Sequence, residues 1–238
     1  MKLKDMKTDS NSYTIAYATV LVVVIAFLLA FVFQILKPIQ DVNVSLDKQK
    51  QILYSLNIRG LDNDAAAESY RQIVLADNVI DANNQIIKHG SRGGTSAGFL
   101  LNSADTKAGR LPLYICKVSG KIKYVIPVYG MGLWGPISGY LALDDDRRTV
   151  YGAYFNHESE TAGLGAEIKD NLKWQQQFRG KKLFSQGDST KIALSVLKKV
   201  KDPSTQVDAV TGATLTSDGV TDMFKECLEK YIVFLNSK

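Results

Sequence analysis

A run of hydroxyl-bearing and small residues lies near the end of the chain, between Asp208 and Gly219. It reads DAVTGATLTSDG and leads into an apolar stripe at three- and four-residue spacing, which predicts a terminal helix starting at Asp218. The free N–H groups and the positive dipole end of a helix N-terminus favour a phosphate. A threonine in this run can contact a phosphate or be esterified by one. The alternative is a helix cap rich in serine and threonine.

A second glycine-rich segment, from Gly130 to Gly135, fits the spelling GxGxxG and follows a predicted strand. A dinucleotide site of this kind requires a helix to start at the glycines, with an acidic residue about 20 positions further on. Neither condition is met, because Pro136 interrupts the helix start and another strand-like run follows. We interpret these glycines as a tight connection that lines some other pocket.

The sequence predicts no metal site. His157 and Glu158 are adjacent but are interpreted as solvated surface residues, and the two cysteines, Cys116 and Cys227, belong to no CxxC pair. Both cysteines are expected in the core, with a disulfide between them as the alternative in an oxidising compartment. The net charge of +5 comes from scattered Lys and Arg without a basic cluster, which argues against nucleic-acid binding.

The elements that must position these residues begin with a membrane anchor. Residues 14–36 are uncharged and largely apolar, and about 23 residues give roughly 35 Å of helix, enough to cross a hydrocarbon core of about 30 Å. The run is too long for a signal peptide and continues into Lys37 and Pro38. We predict a cytoplasmic tail at 1–13, a transmembrane helix at 14–36 and a stalk helix at 37–60. Long downstream domains are translocated largely regardless of their charge, so the rest is expected outside the cytoplasm.

Beyond the anchor, the patterns predict an α+β domain at 61–238, an antiparallel sheet with flanking helices and a core at about 111–238. Alternating apolar and polar residues predict two β-hairpins, at 113–128 and 137–156. Residues 65–87 favour helix, and 90–110 are expected to form a flexible loop. Shorter elements are predicted as a helix at 171–178, strands at 182–184 and 192–196, and the terminal helix from 218.

Several motifs in this order resemble the FMN-binding domain family whose flavin phosphate is esterified to threonine, and specifically the C subunits of the sodium-translocating NADH:quinone oxidoreductase (Nqr). The resemblance covers most of the chain and starts with the N-terminal span and Leu46–Gln49. Its further motifs are GMGLW at 130–134, ETAGLG at 160–165, GKKL at 180–183 and TGATLT at 211–216. Ala162 replaces a common proline and Thr211 a common serine, and neither change removes a needed functional group.

The resemblance implies that FMN is attached covalently, by a phosphoester to Thr214, the last residue of TGAT. It also implies that Thr161 and the loop at 163–165 lie beside the isoalloxazine ring. A dedicated flavin transferase that uses FAD is implied as well, because a threonine hydroxyl is a poor nucleophile and no histidine lies nearby in sequence. For Trp134 and Leu164, which are candidates for contact with the ring, ordinary packing in the core is the alternative. The full set of candidate FMN-binding residues is Trp134, Thr161, Gly163, Leu164, Gly165, Asp208, Thr211, Gly212, Ala213, Leu215 and Thr216.

By the same resemblance, the chain is the electron-carrying subunit of a sodium-pumping NADH:quinone reductase in the bacterial inner membrane, with its FMN domain in the periplasm. The sequence contains no motif for NADH, quinone or sodium, so those sites are expected in partner subunits. The closest alternative is the G subunit of the related ferredoxin:NAD oxidoreductase complex (Rnf). A membrane-anchored binding module without a cofactor is the second alternative. The segments at 46–49 and 180–183 favour the quinone reductase.

Overall fold

The first helix contains the predicted membrane span. The structure is a computed structural model that describes residues 10–237, so most of the predicted tail at 1–13 lies outside the described residues. Helix α1 (Asn11–Ser55) has an 18-residue window of mean hydropathy 2.9, none of which is buried. It is therefore long and apolar enough to cross a membrane. The helix continues through Pro38 and ends at Ser55, whereas the stalk is predicted to reach residue 60.

The chain divides into two compact units, with the boundary between Asp47 and Lys48. The first unit is the apolar part of α1, and the second holds the last turns of α1 and all later elements. Within the second unit, Lys48 Nζ donates hydrogen bonds to the carbonyl oxygens of Phe99 and Leu101. Burial lowers the pKa of Lys48 to about 8, and the charge of Asp77 opposes that shift.

The second unit is built on a six-stranded antiparallel sheet in the order β2-β1-β3-β4-β5-β6. This confirms the predicted α+β fold with an antiparallel sheet. Two short strands, β7 and β8, form a separate parallel pair. The strands are β1 (Val74–Ile80), β2 (Ile86–Lys88), β3 (Leu111–Val118), β4 (Lys121–Met131), β5 (Pro136–Leu143), β6 (Val150–His157), β7 (Ser195–Leu197) and β8 (Gln206–Asp208).

Both predicted hairpins are confirmed. Val118 pairs with Lys121 across a two-residue loop, Ser119 and Gly120, whose φ angles are 49° and 81°. Positive φ at both central positions is the requirement of the type I′ turn, whose twist matches the twist of the flanking strands. The second hairpin joins β5 to β6 through the polar turn that precedes Val150.

One face of the sheet packs against helix α6 (Thr214–Leu228). An aromatic cluster forms there, with Phe155 of β6 at ring-centroid distances of 5.1 to 5.9 Å from Trp174, Phe178 and Phe224. All four side chains are buried. The helices of the second unit are α2 (Asn63–Ile73), α3 (Ser103–Lys107), α4 (Glu167–Asp170), α5 (Leu172–Gln176), α6 (Thr214–Leu228) and α7 (Ile232–Asn236), with 3-10 turns at Gly98–Leu100 and Glu229–Tyr231.

Tyrosines pack on the opposite face, as the alternation of side chains along a strand requires. Tyr114 and Tyr140 meet at a centroid distance of 6.3 Å, and Tyr70 of α2 lies 5.9 Å from Phe99. Burial raises the pKa of Tyr70, Tyr114 and Tyr140 well above the usual range. The hydroxyl of Tyr70 donates to a backbone carbonyl, so its burial leaves no unpaired donor.

Both cysteines are free and buried, as expected for small core residues. Burial raises the pKa of each thiol, and desolvation of the thiolate is the main cause. Cys227 also donates a hydrogen bond from Sγ to the carbonyl oxygen of Tyr129 on β4. That contact ties α6 to the central strand.

Two predictions for the region before β3 are wrong. Helix α2 begins at Asn63 and ends at Ile73, so the predicted helix at 65–87 is too long, because the residues after Ile73 pair with β3 as strand β1. The loop predicted at 90–110 contains a 3-10 turn and helix α3. Its backbone is held by Asp77, which is fully buried and accepts N–H bonds from Ser91, Ser96, Ala97 and Phe99.

The elements between β6 and α6 agree only in part with the pattern. The helix predicted at 171–178 is present as α5. The strand predicted at 182–184 is reduced to one isolated bridge between Lys182 and Thr149. The strand predicted at 192–196 is shifted, since β7 spans Ser195–Leu197 and pairs with β8.

The buried carboxylate of Asp77 generates a stability prediction. In Asp77→Asn one oxygen becomes an NH2 group that faces backbone donors, and unpaired buried donors are costly. We expect the free energy of unfolding to fall by about 2 to 4 kcal/mol, measured by urea denaturation of the full chain in detergent. The matched control is Asp64→Asn, an exposed carboxylate on α2, which should cost under about 0.5 kcal/mol. Equal losses in the two variants would contradict the anchoring role of Asp77.

Candidate functional site

Three segments that are distant in sequence meet beside the start of α6. They are the connection between β4 and β5, the loop at 160–165 after β6, and the first turns of α6. The carboxylate of Glu160 joins them, because Oε1 accepts the backbone N–H of Trp134 at 2.9 Å and Oε2 accepts the hydroxyl of Thr216 at 2.6 Å. Glu160 is only 7% exposed, so both hydrogen bonds are shielded from water.

Close packing at this junction depends on glycine. A Cβ at Gly165 would strike Glu160 Oε2 and lie 2.7 Å from the Thr216 hydroxyl, and a Cβ at Gly219 would strike the carbonyl oxygen of Met131. Gly212 has φ of +77°, and a Cβ there would lie 2.8 Å from Leu164 Cδ2. These contacts bring the three segments together with no room for a side chain at these glycines.

Helix α6 begins at Thr214, four residues before the predicted start at Asp218. The predicted start is wrong because it was based on Asp218 as a residue typical of a helix start. The N-cap is instead Ala213, and no side chain caps it. The N–H groups of the first turn therefore have no intrahelical acceptor, and the N-cap residue provides no side-chain cap for them.

The structure divides the hydroxyl groups of the run into two pairs. Thr216 and Ser217 are each 1% exposed and hydrogen-bonded, Thr216 to Glu160 and Ser217 through Oγ, which accepts the N–H of Val210 at 3.1 Å. Thr211 and Thr214 are exposed. Only this second pair offers a hydroxyl to a ligand without breaking an existing hydrogen bond.

Apolar side chains on all three segments are open to solvent. Trp134 is 66% exposed, Leu164 43% and Leu215 60%, and each comes from a different one of the three segments. Single exposed apolar residues are ordinary, but several together mark a binding surface. Such a surface suits the flat, largely apolar ring of an aromatic cofactor. Met131 and Leu133, at the β4–β5 connection, are also exposed, at 65% and 47%.

The remaining candidates occupy different positions. Thr161 has an exposed side chain, and its carbonyl oxygen accepts the N–H groups of Leu164 and Ala166, which shapes the loop. Gly163 has φ of +73° in that loop. Asp208 ends β8, and its carbonyl oxygen accepts Nε1–H of Trp174 at 2.7 Å. Within residues 10–237, no hydrogen bond or ion pair links the Asp208 side chain to the other candidates.

Glu160 is the residue whose role sequence reasoning missed. It appears in the motif ETAGLG, but the partners that explain a charged side chain in a buried place lie 26 and 56 residues away. His157 also proves relevant, since Nδ1 accepts the N–H of Glu160 at 3.2 Å. It holds the loop, and the residues described contain no group of three or more potential metal ligands.

Comparison with known proteins identifies the domain. A known family, described as FMN-binding domain, matches residues 132–229, a range that includes the connection, the loop and α6. The chain is 33% identical to the C subunit of the Na(+)-translocating NADH-quinone reductase from Haemophilus ducreyi, over 91% of this chain and 89% of that protein. It is also 33% identical to the corresponding C subunit of Neisseria meningitidis serogroup B, over 98% and 96%.

Solved structures of C subunits have the same fold as this chain. The crystal structure of the C subunit from Parabacteroides distasonis has a TM-score of 0.76 at 33% identity, covering 85% of this chain and 98% of that one. A second structure, from Shewanella oneidensis, has a TM-score of 0.63 at 23% identity, covers 81% of this chain and 97% of that one, and shows the likeness of fold alone. The fold is therefore that of the C-subunit structure from Parabacteroides distasonis, and residues 132–229 match the FMN-binding domain family. The chain belongs to the family of Na(+)-translocating NADH-quinone reductase C subunits.

The division of the hydroxyl groups into a buried pair and an exposed pair leads to a prediction for the cofactor-free protein. Thr216→Val removes the donor to a buried carboxylate, and we expect the free energy of unfolding to fall by about 1.5 to 3 kcal/mol. Thr214→Val is the matched control and should cost under about 0.5 kcal/mol, because its hydroxyl is exposed. Urea denaturation of both variants, expressed without a flavin transferase, makes the comparison. A larger loss in Thr214→Val would refute the assignment of the two hydroxyls.

Proposed function

We propose that this chain is the FMN-carrying electron-transfer subunit of a Na+-translocating NADH:quinone oxidoreductase, with the FMN phosphate esterified to Thr214. The observation that carries the proposal is the position of Thr214. It is an exposed hydroxyl on the first residue of α6, beside backbone N–H groups that have no intrahelical acceptor. Membership of the C-subunit family supports the same cofactor and the same complex.

Position within the helix favours Thr214 over the other exposed hydroxyl. Thr211 precedes Gly212 in the turn before α6, whereas Thr214 lies in the first turn itself. A phosphate on Thr214 would lie next to the N-terminal amides and the positive end of the helix dipole. The two buried hydroxyls, Thr216 and Ser217, already have partners.

The residues present fit a flavin. Trp134, Leu164 and Leu215 provide an open apolar surface for the ring, and Thr161 lies in the same loop as Leu164 with its side chain exposed. Gly212 is exposed and has no side chain, so it leaves the backbone accessible to the phosphate. When bound, FMN supplies one- and two-electron redox chemistry, and the protein orients the ring and tunes its electronics.

Attachment requires a second protein. Within residues 10–237, no basic side chain forms a hydrogen bond to the Thr214 hydroxyl, and an unassisted threonine is a poor nucleophile at neutral pH. We propose a flavin transferase that uses FAD: the Thr214 oxygen bonds to the FMN phosphorus, the bond to AMP breaks, and the hydroxyl proton leaves with AMP. The exposed hydroxyl is accessible to such an enzyme.

The membrane helix and the family suggest the location. We propose that the N-terminal tail lies in the cytoplasm and that the FMN domain lies in the periplasm, anchored in the inner membrane by α1. The NADH, quinone and sodium sites are assigned to other subunits of the complex. The Rnf G subunit is less favoured, because the relatives compared above are C subunits of the quinone reductase. A module without a cofactor is disfavoured by the FMN-binding domain.

The attachment residue is tested by mass. Wild type expressed with the flavin transferase should exceed the mass of the cofactor-free chain by FMN minus one water, and Thr214→Ala should lack this adduct while remaining folded. Thr211→Ala and Thr216→Ala are the controls and should keep it. Intact mass spectrometry and in-gel flavin fluorescence make the measurement. Retention in Thr214→Ala together with loss in either control would move the attachment to that other residue.

Topology is tested with protease. Added to intact spheroplasts, the protease should digest the domain after α1, because that domain is proposed to be periplasmic. A cytoplasmic marker protein controls for leakage. Protection of the domain until the inner membrane is permeabilised would show the opposite orientation.

A further inference from the structure

We propose that Glu160 is a positioning residue of the flavin site: its buried carboxylate holds the ring-facing segments in place, and its charge lowers the reduction potential of the flavin. This inference rests on the proposed attachment of FMN at Thr214. It concerns a residue that does not itself reach the exposed surface, since Glu160 is 7% exposed.

The carboxylate links the two segments that border the proposed ring position. Oε1 accepts the N–H of Trp134, whose side chain is exposed beside the site, and Oε2 accepts the hydroxyl of Thr216, two residues after the proposed attachment point. The loop that carries Leu164 begins at Glu160 itself. One carboxyl group therefore fixes the relative positions of the segments that carry Trp134, Leu164 and Thr214.

The carboxylate cannot move without breaking this arrangement. It lies between Gly132 and Gly165, and a Cβ at either position would strike one of its oxygens. Its own backbone N–H donates to Nδ1 of His157 at the end of β6. The packing thus fixes the group from both sides and from its backbone.

The charge of Glu160 is balanced by hydrogen-bond donors alone. Both oxygens act as acceptors, and within residues 10–237 no Lys, Arg or His nitrogen forms an ion pair with it. A buried negative charge acts over a longer distance than an exposed one, because the protein interior screens it weakly. Such a charge beside the ring opposes the uptake of an electron.

The test uses the full chain, loaded with FMN by the flavin transferase and purified in detergent. Glu160→Gln has the same shape but no charge, and Glu160→Ala removes both acceptors. The control is Glu158→Gln, which removes an exposed carboxylate two residues away. The readouts are the midpoint potential, measured by redox titration, and the visible circular dichroism of the flavin, which reports how firmly the ring is oriented.

We expect Glu160→Gln to raise the midpoint potential with little change in the circular dichroism, and Glu160→Ala to weaken the circular dichroism strongly. Glu158→Gln should match wild type in both. A wild-type potential in Glu160→Gln, or a wild-type spectrum in Glu160→Ala, overturns the proposal. If the alanine variant does not fold, the glutamine variant alone decides.

Intact mass separates this inference from the proposed function. If wild type carries no FMN adduct, the proposed function fails before any Glu160 variant is compared. If wild type and Glu160→Gln both carry the adduct on Thr214 and their potentials are equal, only the role of Glu160 is refuted.

Discussion

Helix α6 approaches strand β4 so closely that neither element has room for a side chain at the crossing points. A Cβ at Gly130 would lie 2.6 Å from Cβ of Met223, and one at Gly219 would strike the carbonyl oxygen of Met131. This close approach sets the height of α6 above the sheet and thereby the place of Thr214. The aromatic cluster around Phe155 and the hydrogen bond from Cys227 to β4 fill the remaining space on that face.

Two buried carboxylates organise the second unit on opposite sides of the sheet. Asp77 gathers backbone N–H groups of the segment before β3, and Glu160 gathers one backbone N–H and one hydroxyl at the proposed flavin site. Both use hydrogen-bond donors to stabilise the buried charge. A carboxyl group can accept from several directions, so Asp77 fixes the segment at 91–99, and Glu160 joins the β4–β5 connection to the first turn of α6.

In the proposed site, the residue that attaches FMN is different from the residues that orient its ring. Thr214 offers an exposed hydroxyl at a helix end, while the side chains suited to face a ring come from the β4–β5 connection and the loop after β6. Trp134 and Leu164 are exposed, yet the backbone beneath each is held by Glu160 or by contacts of its loop. A rigid base under exposed apolar side chains suits the proposed role of electron carrier, because a pre-organised site holds the ring in one orientation.

Local patterns were sufficient for the elements whose cause is local. The membrane helix follows from hydropathy, and the first hairpin follows from alternation and the Ser119–Gly120 turn. Resemblance in the TGAT unit pointed to Thr214. Tertiary structure alone decided three things: that residues from Val74 form a strand, since pairing with β3 outweighs helix propensity; that α6 starts at Thr214; and that Thr216 is buried on Glu160. These depend on contacts between residues far apart in the chain, and the sequence periodicity of a single segment carries no information about such contacts.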